Sequence, residues 1–201
     1  MKKTPLFVSV VVSLVLLFGC AKKTNESQQQ SQQQSQQQQQ GTTPGAEAIP
    51  NSIAGVHWTV PQGWTARPKQ QMRAATYEVP SPIQGVEPGD CGVFYFGNGQ
   101  GGSVNENLNR WISQFESGGK HAFASKEINN LKVTMIQVSG TYLSPSGPMM
   151  ESQAKKPNYR LLGAIVESPQ GLVFFKLTGP AQTIDASESG FNQLVNSLTK
   201  D

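Results

Sequence analysis

Residues 159–180 read YRLLGAIVESPQGLVFFKLTGP, and they decide the fold. Two runs of branched and aromatic residues, 159–166 and 172–177, flank Ser168-Pro169-Gln170-Gly171. β-forming runs separated by a short turn carrying Pro and Gly read as an antiparallel hairpin. The same pattern lies upstream, where 122–128 and 131–142 meet at the turn Asn129-Asn130. Hairpins place successive strands side by side in opposite directions, so the sheet is expected to be mainly antiparallel.

Working outward, 103–116 carries the clearest helix signal. Ser103 and Glu106 make an S-x-x-E capping box, in which each satisfies an orphan donor at the helix start. Val104, Leu108, Trp111, Ile112 and Phe115 fall at i, i+4, i+7, i+8 and i+11, one apolar stripe facing a core. Gly118-Gly119 ends it. A second helix is expected over 187–198, with Phe191, Leu194, Val195 and Leu198 on one face. Earlier strands are expected at 57–60, 72–79 and 91–96. The resulting order is βββαββββα, an α+β fold in which two helices cover a sheet of about six to seven strands.

The first fifty residues differ in kind. Met1-Lys2-Lys3 is followed by an apolar run from Leu6 to Phe18, interrupted only by Ser9 and Ser13. At about 13 residues it is short of the ~20 a spanning helix needs, and the layout is that of a secretory signal. Residues 27–40 read SQQQSQQQSQQQQQ, which cannot bury apolar surface and predicts disorder. About 30 residues from Cys20 to Pro50 therefore form a tether, with a mean reach of ~30 Å if it behaves as a Gly/Ser linker. Three segments follow: 1–19 a signal peptide, 20–50 a tether, and 51–201 a single globular domain.

Charge follows the same division. The chain has 16 Lys and Arg against 13 Asp and Glu, a net charge of +3. Lys2, Lys3, Lys22 and Lys23 against Glu26 account for all of it, and 46–201 holds 12 of each sign. A neutral domain lacks the basic footprint of a nucleic-acid binder, so none is expected as a partner.

Few motifs in the domain carry chemistry. Gly97-Asn98-Gly99-Gln100-Gly101-Gly102 matches G-x-G-x-x-G between a strand and a helix, where helix N–H groups can meet a phosphate. No parallel βαβ unit surrounds it, so a flexible turn is the preferred reading and an anion or nucleotide site the alternative. His57 and His121 have no ligand at metal-site spacing. Cys91 has Asp90 beside it and no basic neighbour, so it is expected as a buried, inert thiol. Trp111 belongs to the helix stripe, and Trp58 and Trp64 are expected to clasp the Pro61-Gln62-Gly63 turn. No catalytic, cofactor-binding or metal-ligating residue is assigned. An enzyme or enzyme accessory would have to build its site on loops 80–90, 97–102 or 144–158, around Arg73, Arg110 or Arg160.

Leu17-Phe18-Gly19-Cys20 resembles the bacterial lipobox. That resemblance implies lipidation of Cys20, cleavage before it, and attachment to a membrane; stable anchoring takes more than one acyl chain. Ala21, standing where an Asp would imply retention at the inner membrane, points to the outer membrane, facing the periplasm. Trp58…Pro61…Trp64, Met72-Arg73, Tyr95-Phe96-Gly97, Gly101-Gly102-Ser103, Asn109-Arg110-Trp111, Gln114-Phe115 and the stretches 159–167 and 174–180 resemble a family of uncharacterised bacterial lipoproteins. The strand and helix order is similar to PsbP-like domains, α/β/α sandwiches that act as binding or assembly subunits. These resemblances imply a non-enzymatic envelope lipoprotein with the membrane and an envelope protein as its partners.

Overall fold

The computed structural model describes residues 51–144 and 154–201. The expected signal segment, the tether with Cys20, and residues 145–153 lie outside them. The described elements are β1 (Ser52–Ile53), β2 (Val56–His57), β3 (Thr65–Ala66), β4 (Ala75–Val79), β5 (Gly89–Tyr95), α1 (Val104–Ile112), a 3-10 turn at Glu116–Gly118, β6 (Lys120–Ile128), β7 (Leu131–Ser144), β8 (Ala154–Ser168), β9 (Gly171–Pro180), α2 (Ala181–Asn196) and β10 (Thr199–Lys200).

Seven strands form the main sheet in the order β3-β4-β5-β9-β8-β7-β6. Every pairing is antiparallel. Within this sheet the chain order is βββαββββα, as the hairpin pattern requires. The turn between β6 and β7 is tight because Asn129 and Asn130 both adopt left-handed backbone, φ 48° and 61°. Two such residues make the type I′ turn whose twist matches the flanking strands, and Asn tolerates that conformation better than most residues. The helix α1 starts as expected, with Ser103 as its N-cap and the reciprocal Ser103–Glu106 capping box formed.

The structure differs from the sequence reading in β8, which begins at Ala154, so that 154–158 of the loop expected over 144–158 are strand; three further details differ. The strand expected at 57–60 ends at His57 and belongs to a separate small sheet, β1-β2-β10, which joins the first described residues to the last. The main sheet instead begins at β3, only two residues long. The closing helix starts at Ala181 rather than 187. Ile184 is fully buried and lies two turns before Phe191 on the same stripe; the polar run between them hides that periodicity.

The helices lie on opposite faces of the sheet. Along β8, Leu161 and Ile165 join Leu108, Trp111 and Phe115 on the α1 side. Leu162, Ala164 and Val166 join Phe191, Leu194 and Val195 on the α2 side. A strand covered on both faces reads as a continuous apolar run rather than an alternation, which is why 159–166 is so rich in Leu, Ile and Val.

Polar contacts fix α2 over the sheet. Arg160 of β8 donates to Asp185 Oδ1 and Glu188 Oε2, both at 2.7 Å, and to Gln137 Oε1 at 2.6 Å. Its side chain is only 14% exposed, while the two carboxylates are half open to water. Arg160→Ala is expected to lower stability by on the order of 1–2 kcal/mol, the worth of charge-assisted hydrogen bonds discounted for solvent access. Urea denaturation measures it; a change below about 0.3 kcal/mol would mean that apolar packing alone seats the helix.

Candidate functional site

Alternation along β5, β7, β8 and β9 gathers polar side chains on the α1 face, beside the C-terminal end of α1. Lys176 of β9 stands opposite Gly92 of β5 and Gly163 of β8. Its Nζ donates to Gln114 Oε1 at 2.5 Å and lies 5.7 Å from the centre of the Tyr142 ring. Among the described residues no carboxylate forms an ion pair with it. Burial, reinforced by the positive charge of Arg73, pushes the Lys176 ammonium down to about 8.

Two tyrosines extend the cluster. Tyr142 and Tyr159 stack with their rings 5.8 Å apart and 6° from parallel. Tyr159 donates to Glu87 Oε2 at 2.5 Å, and Lys156 reaches the Glu87 carboxylate at 2.9 Å. The hydrogen bonds from Tyr159 and then Lys156 hold the Glu87 carboxyl below its ordinary range. On the other side, Arg73 grips Asp90 with two bonds of 2.9 Å and lies over the Phe94 ring. Gly92 makes room for that ring and for the guanidinium over it, since a Cβ there would stand 2.7 Å from the Phe94 ring and 3.2 Å from Arg73 Nη1.

An open cavity of about 540 Å³ adjoins the cluster through Glu87 and Asp90. Residues 67–70 form one wall, and Arg67, which pairs with Glu78, and Lys69 bring charge to it. Thr76 lines it as well, and its buried Oγ1 has no hydrogen-bond partner. The depression itself is mixed in charge, with Arg67 and Lys69 against Glu78, Glu87 and Asp90, and the stacked tyrosines and Lys176 lie beside it rather than in its lining.

Of the residues singled out in the sequence, Arg73 alone joins this cluster. Arg110 donates to Asn107 Oδ1 on its own helix, and Arg160 works on the opposite face. In the Gly-rich segment, Asn107 Nδ2 donates to the Gly101 carbonyl at 2.8 Å, and a Cβ on Gly101 would stand 2.8 Å from the Phe96 ring. The Glu106 carboxylate, bonded to Ser103 N at 2.6 Å, already occupies the anion position at the start of α1. Trp58 is buried, donates to Tyr77 Oη at 2.9 Å and meets Phe175 edge-on; Trp64 lies beside Gly190 of α2. Cys91 is fully buried, and burial followed by the Asp90 charge pushes its thiol up. His57 lies 2.5 Å from Asp201 in the small sheet, and His121 lies 3.2 Å from the Gly118 carbonyl. Cys20 lies outside the described residues.

Lys176, Tyr142, Tyr159, Lys156, Glu87 and Thr76 were not singled out. The available signal was Lys176 itself, a charge inside the apolar strand LVFFKLTG. No protein-family model and no curated protein matches the sequence. Among the solved structures that resemble it are three of low identity. LpqN, involved in cell envelope biogenesis of Mycobacterium tuberculosis, is 11% identical, with a TM-score of 0.46, covering 72% of this chain and 82% of its own. CyanoP, the PsbP protein of Synechocystis, is 11% identical, with a TM-score of 0.45, covering 75% and 95%. PA94, a Pseudomonas aeruginosa protein of unknown function, is 10% identical, with a TM-score of 0.44, covering 69% and 97%.

Proposed function

We propose that the chain is a lipoprotein of the bacterial cell envelope, anchored through Cys20 at the outer membrane and facing the periplasm. Its domain acts as a non-enzymatic binding module through the face around Lys176. The anchoring half rests on Leu17-Phe18-Gly19-Cys20 at the end of a short apolar run and on the tether behind it. The binding half rests on Lys176, an ammonium kept largely out of water without a carboxylate in contact. Such a charge costs stability, and a negatively charged group on a partner protein would supply the missing counter-ion.

Each half has its own test. Cys20→Ala should abolish palmitate incorporation and leave residues 1–19 attached; unchanged labelling refutes the anchor. For binding, a photo-crosslinking amino acid replaces Lys155, which precedes Lys156 in β8 and pairs with Glu116, or Lys132, whose pairing partner Glu167 lies near the far end of β8. In intact cells the first should give a discrete adduct, absent from the second and lost on Lys176→Met. The same adduct from both positions would refute the assignment of the face.

A further inference from the structure

The two edges of the main sheet are unlike. One, β3, is two residues long. The other, β6, runs for nine residues, and Lys120 to Glu127 are all exposed. Its pairing with β7 is continuous from Lys120↔Ser139 to Ile128↔Leu131, with no bulge. It contains no proline. Lys126, the charge best placed to guard the edge, is turned back onto α2, where its Nζ meets Asn196 Oδ1 at 3.0 Å. A long, straight, exposed edge is a template for another strand; Lys120 and Glu127 leave charge near its two ends, but neither a proline nor a bulge blunts the stretch between them.

The turn fixes which backbone groups are available. In a two-residue type I′ hairpin the residues flanking the turn form a hydrogen-bonded pair, here Ile128 and Leu131. By alternation, Lys126, Ala124 and Ala122 also bond inward to β7. The N–H and C=O groups of His121, Phe123, Ser125 and Glu127 therefore point outward, and among the described residues no other backbone contact takes them. Phe123 carries the largest exposed aromatic side chain on this edge, 59% open to solvent.

We propose that β6 pairs antiparallel with β6 of a second copy of this chain, about a two-fold axis through Ala124. This register sets His121 opposite the partner's Glu127 and Phe123 opposite the partner's Ser125, each twice by symmetry. It sets Ala124 opposite itself, Ala122 opposite the partner's Lys126, and Lys120 opposite the partner's Ile128. No like charges stand directly opposite, and the two Phe123 rings become diagonal neighbours on one face, within reach for aromatic contact. Moving the axis to Phe123 would place Lys120 against the partner's Lys126. Moving it to Ser125 would break both His–Glu pairs. Of these three registers, the one centred on Ala124 alone keeps both His–Glu pairs with no like charges directly opposed, and that self-complementarity favours a second copy over a foreign strand. The two seven-stranded sheets become one.

Disulfide trapping of the full chain in intact cells tests the register. Ala124→Cys puts two thiols at a directly opposed, non-hydrogen-bonded pair, the close spacing that a disulfide can bridge. Ala122→Cys puts each thiol four residues along the strand from the other's register partner, out of reach. After mild oxidation, Ala124→Cys should give a dimer of twice the chain mass, roughly ten-fold more than Ala122→Cys or the unaltered chain. Adding Phe123→Lys should cut the yield, since it sets two cations side by side at the axis. Sedimentation of the unaltered chain in detergent gives a reading that depends on no variant, and a dimer mass is expected. Equal trapping at both positions, an adduct with a different protein instead of a dimer, or a monomer at all concentrations up to ~100 µM would overturn the proposal.

Discussion

Gly163→Ala is expected to destabilise the domain by about 3 kcal/mol or more, the upper end of what overpacking a core costs. Adding a methyl group to a glycine in a strand ordinarily helps, because it restricts the unfolded chain and favours extended backbone. Gly163 is not in the left-handed region, so its backbone would accept alanine without strain. Space decides instead. A Cβ there would stand 2.2 Å from Trp111 Cζ3 and 2.9 Å from Ile136 Cγ2. Trp111 is 5% exposed and meets Phe174 edge-on at 6.4 Å between ring centres, so the indole has nowhere to retreat. The missing side chain of Gly163 is the slot into which α1 is keyed. Trp111→Leu alone should cost about 2–4 kcal/mol through the cavity it leaves. In the Gly163→Ala background much of that cost should vanish, because the smaller side chain vacates the contested space. A double-mutant cycle by urea denaturation measures the coupling. Strict additivity, or a mild Gly163→Ala, would show that α1 is held by other contacts.

That slot shows where the limit of the sequence lies. The helix α1 was legible because its evidence is local: a capping box and one stripe of apolar residues. The hairpins around 129–130 and 168–171 were legible for the same reason. What the sequence did not show depends on residues far apart. The small sheet pairs Val56 and His57 with Lys200 and Thr199, two-residue strands with no pattern of their own. The first turns of α2 were masked because Ile184 and Phe191 are separated by a polar run. The candidate site divides the same way. Arg73 is a candidate on sequence alone, and Lys176 carries a local signal as a cation in an apolar strand. Thr76 and Glu87 could not be, because the cavity they line exists only after β4, β5 and the 67–70 segment have been brought together.

Lys176→Met is expected to stabilise the domain by about 1–3 kcal/mol at pH 7, and the gain should disappear above about pH 10. The sign follows from the ammonium. In the unfolded chain a lysine releases its proton near its ordinary value of ~10.4; in the folded domain burial and the Arg73 charge bring that to about 8. Below pH 8 both states carry the charge, and the folded state bears the full cost of holding it away from water. Between pH 8 and about 10.4 the folded state has lost the proton while the unfolded state keeps it, so stability from this group rises through that window. The shift corresponds to about 3 kcal/mol; partial solvent access and the bond to Gln114, which methionine cannot replace, reduce the net gain. Tyr142 also faces the ammonium, and burial raises its hydroxyl further above its ordinary range, so it stays neutral through most of the window. The remaining groups near Lys176, Arg73 and Asp90, are common to both proteins, so the difference between the two urea curves at pH 7 and pH 10 isolates Lys176. A variant less stable than the parent at pH 7, by an amount that does not change with pH, would mean that Lys176 serves the fold. A stabilised variant that has lost its partner adduct would mean that the domain carries a destabilising charge for the sake of what it binds.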